Sequence, residues 1–110
     1  MNLNLLKFKG LLSAAVAGSV FSSPSAGQIL AAIRTVRPPD NCGVLLIVIN
    51  YTGDRLNFGL ALERARSEGI RVEMVVCGDD CSQLSGNRAV GRRGLAGSLF
   101  LMKVIAADCS

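Results

Sequence analysis

Six consecutive apolar residues, Val44 to Ile49, form the most distinctive stretch of the sequence. The run is rich in β-branched residues, and the polar stretch Asn50–Asp54 ends it abruptly. A short apolar run bounded by turn-forming residues is typical of a strand that is buried on both faces. We therefore predict such a strand over Val44–Ile49.

The residues that follow predict a helix and then a second strand. Between Leu56 and Arg66, apolar and charged residues are mixed as in an amphipathic helix, and Gly69 supplies a stop signal. The apolar members of this helix are Leu56, Phe58, Leu60, Leu62 and Ala65. Arg71–Cys77 then predicts a strand, and a strand, helix and strand of about 30 residues form a right-handed parallel crossover. The predicted fold class is α/β with a partial parallel sheet and flanking helices.

Polar loops follow both predicted strands and mark a candidate site. In open α/β sheets, ligands bind outside the carboxyl ends of the strands, where this chain has Asn50–Asp54 and Gly78–Asp80. Separated carboxylates of this kind are less typical of a Mg²⁺ site than of three other roles. They cap helices, stabilise loops or accept hydrogen bonds from a substrate. For Asp54, capping of the helix and contact with a ligand both stay open.

The C-terminal third predicts a loop and then an apolar helix. Residues 81–89 are polar and without periodicity, whereas 98–107 are almost entirely apolar. Arg92 and Arg93 precede this helix and would suit an anion at its N-terminus. The favoured alternative is that both arginines are solvated or pair with the acidic loop that ends at Asp80. The glycines between 91 and 97 do not follow a strand, so they lack the context of a dinucleotide fingerprint.

Two interpretations fit the N-terminal residues. Residues 1–27 have the basic start, apolar middle and small-residue end of a secretory signal, although the apolar part is too short to span a membrane. The alternative is a helix within 10–21, a turn at 23–25 and a second helix over Gly27–Val36, which ends at the Pro-Pro pair.

Composition narrows the possible functions. The chain has 110 residues, a net charge of +4, 5% aromatic residues and no histidine. Dispersed arginines without interleaved aromatic residues argue against nucleic-acid binding. Without histidine, no nucleophile, proton shuttle or metal site of this chain uses an imidazole. The four cysteines, Cys42, Cys77, Cys81 and Cys109, lack zinc or redox spacing, and we expect small core or incidental thiols.

The polar block after the first strand carries a resemblance to a known family. Asn50–Gly59, of sequence NYTGDRLNFG, resembles the substrate-binding domain of dihydroxyacetone (glycerone) kinases, most of all the animal triokinase/FMN cyclase group. Similar stretches are 10–25, 28–34, 63–76, 78–80 and 91–97. The resemblance covers 10–107, with 1–9 unmatched and 108–110 a tail, and it favours a globular explanation of the N-terminal residues over a signal peptide.

The resemblance implies a substrate and a site residue. In that family, a histidine nitrogen adds to the triose carbonyl, a Gly-rich loop supplies a second histidine, and a separate helical domain brings ATP and Mg²⁺. Asp54 matches the family's carboxylate that binds a substrate hydroxyl and assists its deprotonation. It is the one family site residue that we expect this chain to keep.

The departures from the family pattern are equally informative. The Gly-rich loop would lie before Gly10 and the covalent histidine beyond residue 110, while the family's substrate-contacting lysine falls on Ile49. An aliphatic side chain cannot replace an ammonium donor. We therefore expect a truncated triose-binding domain that retains no catalytic residue, binds no metal or cofactor itself, and is inactive alone.

The resemblance and its departures lead to one main hypothesis and two alternatives. As the main hypothesis, the chain is a cytoplasmic part of an ATP-dependent kinase for dihydroxyacetone or glyceraldehyde, without nucleic-acid or membrane partners. The first alternative is a non-catalytic interaction module that forms a homodimer or pairs with a full-length kinase. The second is a small secreted protein with disulfide bonds.

Overall fold

The computed structural model describes residues 12–40, 42–82 and 90–108 of the chain. Its elements are α1 (Ala26–Val36), β1 (Val44–Ile49), α2 (Thr52–Ser67), β2 (Val72–Cys77) and α3 (Gly97–Asp108). The two strands pair in parallel, from Val44 opposite Val72 to Ile49 opposite Cys77. The predicted α/β fold with a parallel sheet is confirmed, and the sheet has two strands in the part of the chain that the structure describes.

The core lies between one face of this sheet and helices α1 and α2. Because successive side chains of a strand point to opposite faces, β1 presents Leu46 and Val48 to the helices. Leu45, on the other face, is 43% exposed. The prediction that β1 is buried on both faces is therefore wrong among the described residues, since the two helices cover one face only. The core comprises Ala26, Ile29, Leu30, Ile33, Leu46, Val48, Ala61, Leu62, Ala65, Ile70 and Val72.

Helix α2 starts earlier than predicted. It begins at Thr52 instead of Leu56, with Tyr51 in an extended conformation as its N-cap. Asp54 consequently lies inside the first turn, so of the two roles that the sequence left open for it, capping of the helix is the one that the structure contradicts. The small polar residues of Asn50–Asp54 favour turns, but Thr, Gly and Asp are also favoured at the start of a helix.

The buried face of α2 also differs from the predicted set. Ala61, Leu62 and Ala65 are buried, and Phe58 packs against the core at helical spacing from them. Leu56 and Leu60 point away and are 68% and 47% exposed. The small Ala61 and Ala65 side chains allow α1 and the strands to approach α2 closely.

Gly69 ends α2 as predicted. Its φ angle is +79°, a left-handed conformation that favours glycine. The Gly69 N–H donates to Arg66 O at 3.0 Å and the Ile70 N–H donates to Ala65 O at 3.1 Å. These two bonds are the Schellman pattern, and the buried Ile70 leads directly into β2.

The N-terminal part is only partly as predicted. Helix α1 begins at Ala26 and is capped by Ser25, which accepts from the Gln28 N–H while the Gln28 side chain accepts from the Ser25 N–H. The second predicted helix is thereby confirmed within one residue. The first is wrong for the described residues 12–25, which contain no helix. Gly18, clustered serines and the restriction that Pro24 places on the preceding residue all disfavour a helix there.

Helix α3 forms where the apolar stretch predicted it, within one residue at each end. It contacts both strands, but Leu99, Phe100 and Val104 are 60%, 77% and 66% exposed. None of the helices in the described ranges combines the length and the apolarity that a membrane span requires.

Candidate functional site

The segment 90–97 crosses the carboxyl ends of both strands. Its Gly94 N–H donates to Asn50 O at 3.4 Å, and Arg93 O accepts from the Asp80 N–H at 3.0 Å. A side-chain carbon on Gly94 would lie 2.6 Å from both Asn50 N and Cys77 O, so the backbone can approach the strand ends only at a glycine. The two loops that the sequence singled out therefore meet at one edge of the sheet, with this segment between them.

Asn50 connects β1 to this segment. The Asn50 residue is 8% exposed, and its Nδ2 donates to Val90 O at 3.2 Å and also to Arg92 O. Gly91 has a φ angle of +75°, which turns the chain so that both carbonyl groups reach the same amide. The Asn50 Oδ1 accepts from Arg55 Nη1 at 3.3 Å, so all polar atoms of this side chain are used.

Asp79 holds the start of α3. Its two carboxylate oxygens accept from the Leu95 N–H at 2.6 Å and the Gly97 N–H at 2.8 Å. The Leu95 N–H lowers the pKa of Asp79 most, and the Gly97 N–H adds to this effect. A protein carboxylate thus occupies the helix N-terminus where the sequence offered an anion site, so Arg92 and Arg93 have no vacant helix end beside them.

Asp80 also binds the segment 90–97 and is 7% exposed. Its carboxylate accepts from Ser82 Oγ at 2.6 Å, the Ser82 N–H at 3.0 Å and Arg93 Nε at 3.1 Å. The Ser82 hydroxyl is the main cause that lowers the pKa of Asp80, and the Arg93 charge adds to it. The favoured expectation for the arginines is confirmed for Arg93, which pairs with Asp80.

Asp54 is in a different situation from the other two aspartates. It lies half-buried in the first turn of α2, beside backbone N–H groups that have no partner within the helix. Within the described ranges, no hydrogen bond or ion pair engages its carboxylate. Of the three acidic residues that the sequence placed at the strand ends, Asp54 is therefore the one available to a ligand.

Among the described residues, the thiols and other potential metal ligands do not form a second site. Cys42 and Cys81 are exposed and Cys77 is half-buried, all three as free thiols, so of the two expected kinds the first two are incidental surface thiols and not core residues. Cys42 donates to Asp40 Oδ2 at 2.8 Å, which raises the pKa of Cys42. Cys109 lies outside the described residues. No three His, Cys, Asp or Glu side chains of the described segments converge to hold a metal ion.

Comparison with known proteins identifies the family. A family model described as the Dak1 domain matches residues 8–110. The chain belongs to the Dak1 domain family. Human triokinase/FMN cyclase is 59% identical over 99 residues, which are 90% of this chain and 17% of that protein. Dihydroxyacetone kinase of Citrobacter freundii is 53% identical over 96 residues, which are 87% of this chain and 16% of that protein.

Solved structures agree with these relatives. The chain superimposes on dihydroxyacetone kinase from C. freundii, in a complex with AMP-PNP and Mg²⁺, with a TM-score of 0.82 and 50% identity over 89% of this chain and 17% of that one. It also matches a dihydroxyacetone kinase operon co-activator, Dha-DhaQ, with a TM-score of 0.81 and 40% identity over 89% of this chain and 30% of that one. The chain thus spans about a sixth of the length of the curated relatives it matches.

The sequence predicts a candidate site at the strand ends, but it gives no role to two residues of that region. Asn50 was part of the motif without a role, and Arg55 was not singled out. Their position, at the end of β1 and one residue after Asp54, was the available signal. The partners that give them a role lie 35 to 42 residues away along the chain, and no local pattern reveals these contacts.

Proposed function

We propose that this Dak1 domain chain supplies the triose-binding part of an ATP-dependent kinase that phosphorylates dihydroxyacetone or glyceraldehyde. The observation that carries the proposal is the Asp54 carboxylate near the end of β1, which no described residue engages, whereas Asp79 and Asp80 are both engaged. Human triokinase/FMN cyclase and the C. freundii kinase, which the chain resembles over most of its length, support the assignment. We also propose a cytoplasmic location, which the family resemblance implies.

The role of Asp54 follows from its chemistry. A carboxylate accepts hydrogen bonds from the hydroxyl groups of a triose, and a bond to a charged acceptor is about twice as strong as a neutral one. When a hydroxyl attacks a phosphoryl group, the same carboxylate can take the proton. Ile49, at the position of the family's lysine, is aliphatic and half-buried, so it contributes no polar contact.

The proposal divides the reaction between this chain and other parts of the kinase. The chain has no histidine, so the covalent bond to the triose carbonyl that the resemblance implies requires a residue from elsewhere. We also propose that another domain supplies ATP and Mg²⁺, as the family resemblance implies. This chain alone therefore binds triose without phosphorylating it.

A titration with dihydroxyacetone tests the proposal. Amide signals of 52–55 in ¹H–¹⁵N spectra of the 110-residue chain should shift in a saturable way. Asp54→Asn removes the charged acceptor, and binding should weaken by about tenfold or more. Glu63→Gln is the matched control, because Glu63 lies on the same helix with a side chain that is 71% exposed. Equal affinity of the Asp54→Asn variant and the unaltered chain would contradict the proposal, as would phosphorylated triose formed by the chain with ATP and Mg²⁺.

A second candidate function is a non-catalytic interaction module. Two observations favour it: the likeness to a protein named as an operon co-activator, and the exposed apolar side chains Leu99, Phe100 and Val104 of α3. Such a module would pair with a second copy of itself or with a full-length kinase. Size-exclusion chromatography of the chain, alone and mixed with a full-length relative, distinguishes the two functions. A stable complex together with no triose binding would favour the interaction module.

A further inference from the structure

Arg55 ties the helix that carries Asp54 to the segment over the strand ends. Its Nη1 donates to Asn50 Oδ1 at 3.3 Å and to Val90 O at 2.9 Å. Since Arg55 directly follows Asp54, these bonds act on the same helical turn as the carboxylate. The first turn of α2 has no side-chain cap, so its orientation relies on contacts of this kind.

Asn50 is the residue at which the hydrogen bonds of this region meet. It is 8% exposed, its backbone N–H donates to Cys77 O at 2.9 Å, and its backbone carbonyl accepts from the Gly94 N–H. The side chain adds bonds to Val90 and Arg92, so β1, β2 and the segment 90–94 are joined at one residue. Unlike a surface amide, a buried one cannot replace lost partners with water without a cost.

We infer that Asn50 and Arg55 are positioning residues for triose binding: together they set the distance between the Asp54 carboxylate and the segment 90–94. This inference rests on the proposed function of Asp54. A binding group works only when its supporting contacts hold it within about 0.5 Å of the productive position. Neither side chain needs to touch the triose, because each acts through the geometry of its neighbours.

Four variants of the full 110-residue chain test the inference by titration with dihydroxyacetone. Asn50→Ala and Arg55→Gln should each weaken binding by about fivefold or more, and the double variant should lose little beyond either single one, because the two side chains form one network. Arg55→Lys keeps a charged donor and should recover part of the affinity. Arg34→Gln is the matched control: it makes the same substitution at another arginine, which pairs with Glu68 and lies far along the chain from the site.

A destabilised control variant distinguishes a specific effect of Asn50 and Arg55 on triose affinity from a general loss of stability. Gly69→Ala strains the other end of α2 and should lower the free energy of unfolding without changing triose affinity. If Asn50→Ala fails to fold, Arg55→Gln, whose side chain is exposed, answers the question alone.

The outcomes distinguish the inference from the proposed function. If Asp54→Asn loses binding while Asn50→Ala and Arg55→Gln keep it, the positioning inference is overturned and the proposed function stands. If Asp54→Asn retains full affinity, the proposed function is overturned and the inference falls with it. Weakened, non-additive binding with partial recovery in Arg55→Lys supports both.

Discussion

Three aspartates at the strand ends have different tasks because their neighbours differ. Asp79 accepts from backbone N–H groups and Asp80 accepts from Ser82 and Arg93, so both stabilise the packing of the segment 90–97. Asp54 has no such partner among the described residues. Asp54 lies in the first turn of α2, whereas Asp79 and Asp80 follow β2. Their hydrogen-bond partners separate the two structural aspartates from the one that we propose binds a ligand.

These partners predict a dependence of stability on pH. The pKa values of Asp79 and Asp80 are lowered in the folded chain, whereas in the unfolded chain both return to about 3.9. Their contribution to the free energy of unfolding is therefore complete above that value and is lost as the pH falls through the lower folded-state values. Urea unfolding between neutral pH and about pH 3 should show this loss.

The comparison for the pH experiment is Asp79→Asn. The amide lacks the titrating charge, so the variant should be less stable at neutral pH and should lose less stability on acidification than the unaltered chain. Carbon-13 titration of the two carboxyl groups checks the cause directly. Midpoints equal to those of a short peptide containing the same residues would contradict the assignment.

At the level of elements, the two ends of α2 are stabilised in different ways. The N-terminus at Thr52 has no side-chain cap, while the C-terminus has the complete Schellman pattern with Gly69 and Ile70. A firm C-terminus next to the buried Ile70 fixes the entry into β2. The N-terminus, which is held by the bonds of Arg55 and not by a cap, is the end that carries the proposed binding residue.

Two glycines of this region form a natural matched pair. Alanine at Gly69 or at Gly59 would meet no atom within 4 Å, but only Gly69 has a positive φ angle. Gly69→Ala should therefore destabilise the fold by about 1 kcal/mol, because a Cβ atom is strained in the left-handed conformation. Gly59→Ala, in the helix interior, should stabilise it by about 0.5–1 kcal/mol. Chemical unfolding measures both, and equal effects would contradict the explanation.

On the scale of the whole molecule, the close approach of Gly94 to the strand ends joins the segment 90–97 to the sheet. Gly94 lies against the ends of β1 and β2, and the adjacent residues Arg93 and Leu95 bond to Asp80 and Asp79. The segment therefore closes the edge of the sheet where the binding site is proposed. Other surfaces remain uncovered, including the outward face of α3.

Gly94→Ala tests the importance of this approach. The new methyl group would overlap the backbone at Asn50 N and Cys77 O, which cannot move without shifting both strands. We expect a loss of about 2–3 kcal/mol in the free energy of unfolding. Gly27→Ala is the control, because its nearest neighbour, Ser25 Oγ, would lie at 3.9 Å. If the free energy of unfolding of Gly94→Ala equals that of the unaltered chain within error, the close contact of the segment with the strand ends is not important for stability.

The sequence by itself determined the order of α1, β1, α2, β2 and α3, because the apolar runs, the cap at Ser25 and the stop at Gly69 are local signals. It also placed the candidate site at the strand ends, since parallel crossovers bring those ends together. The tertiary structure alone decided which face of β1 is buried, and that Asp79 and Asp80 are engaged while no described residue engages the Asp54 carboxylate. The physical reason is distance along the chain: burial and hydrogen bonding depend on groups that folding brings together from far apart.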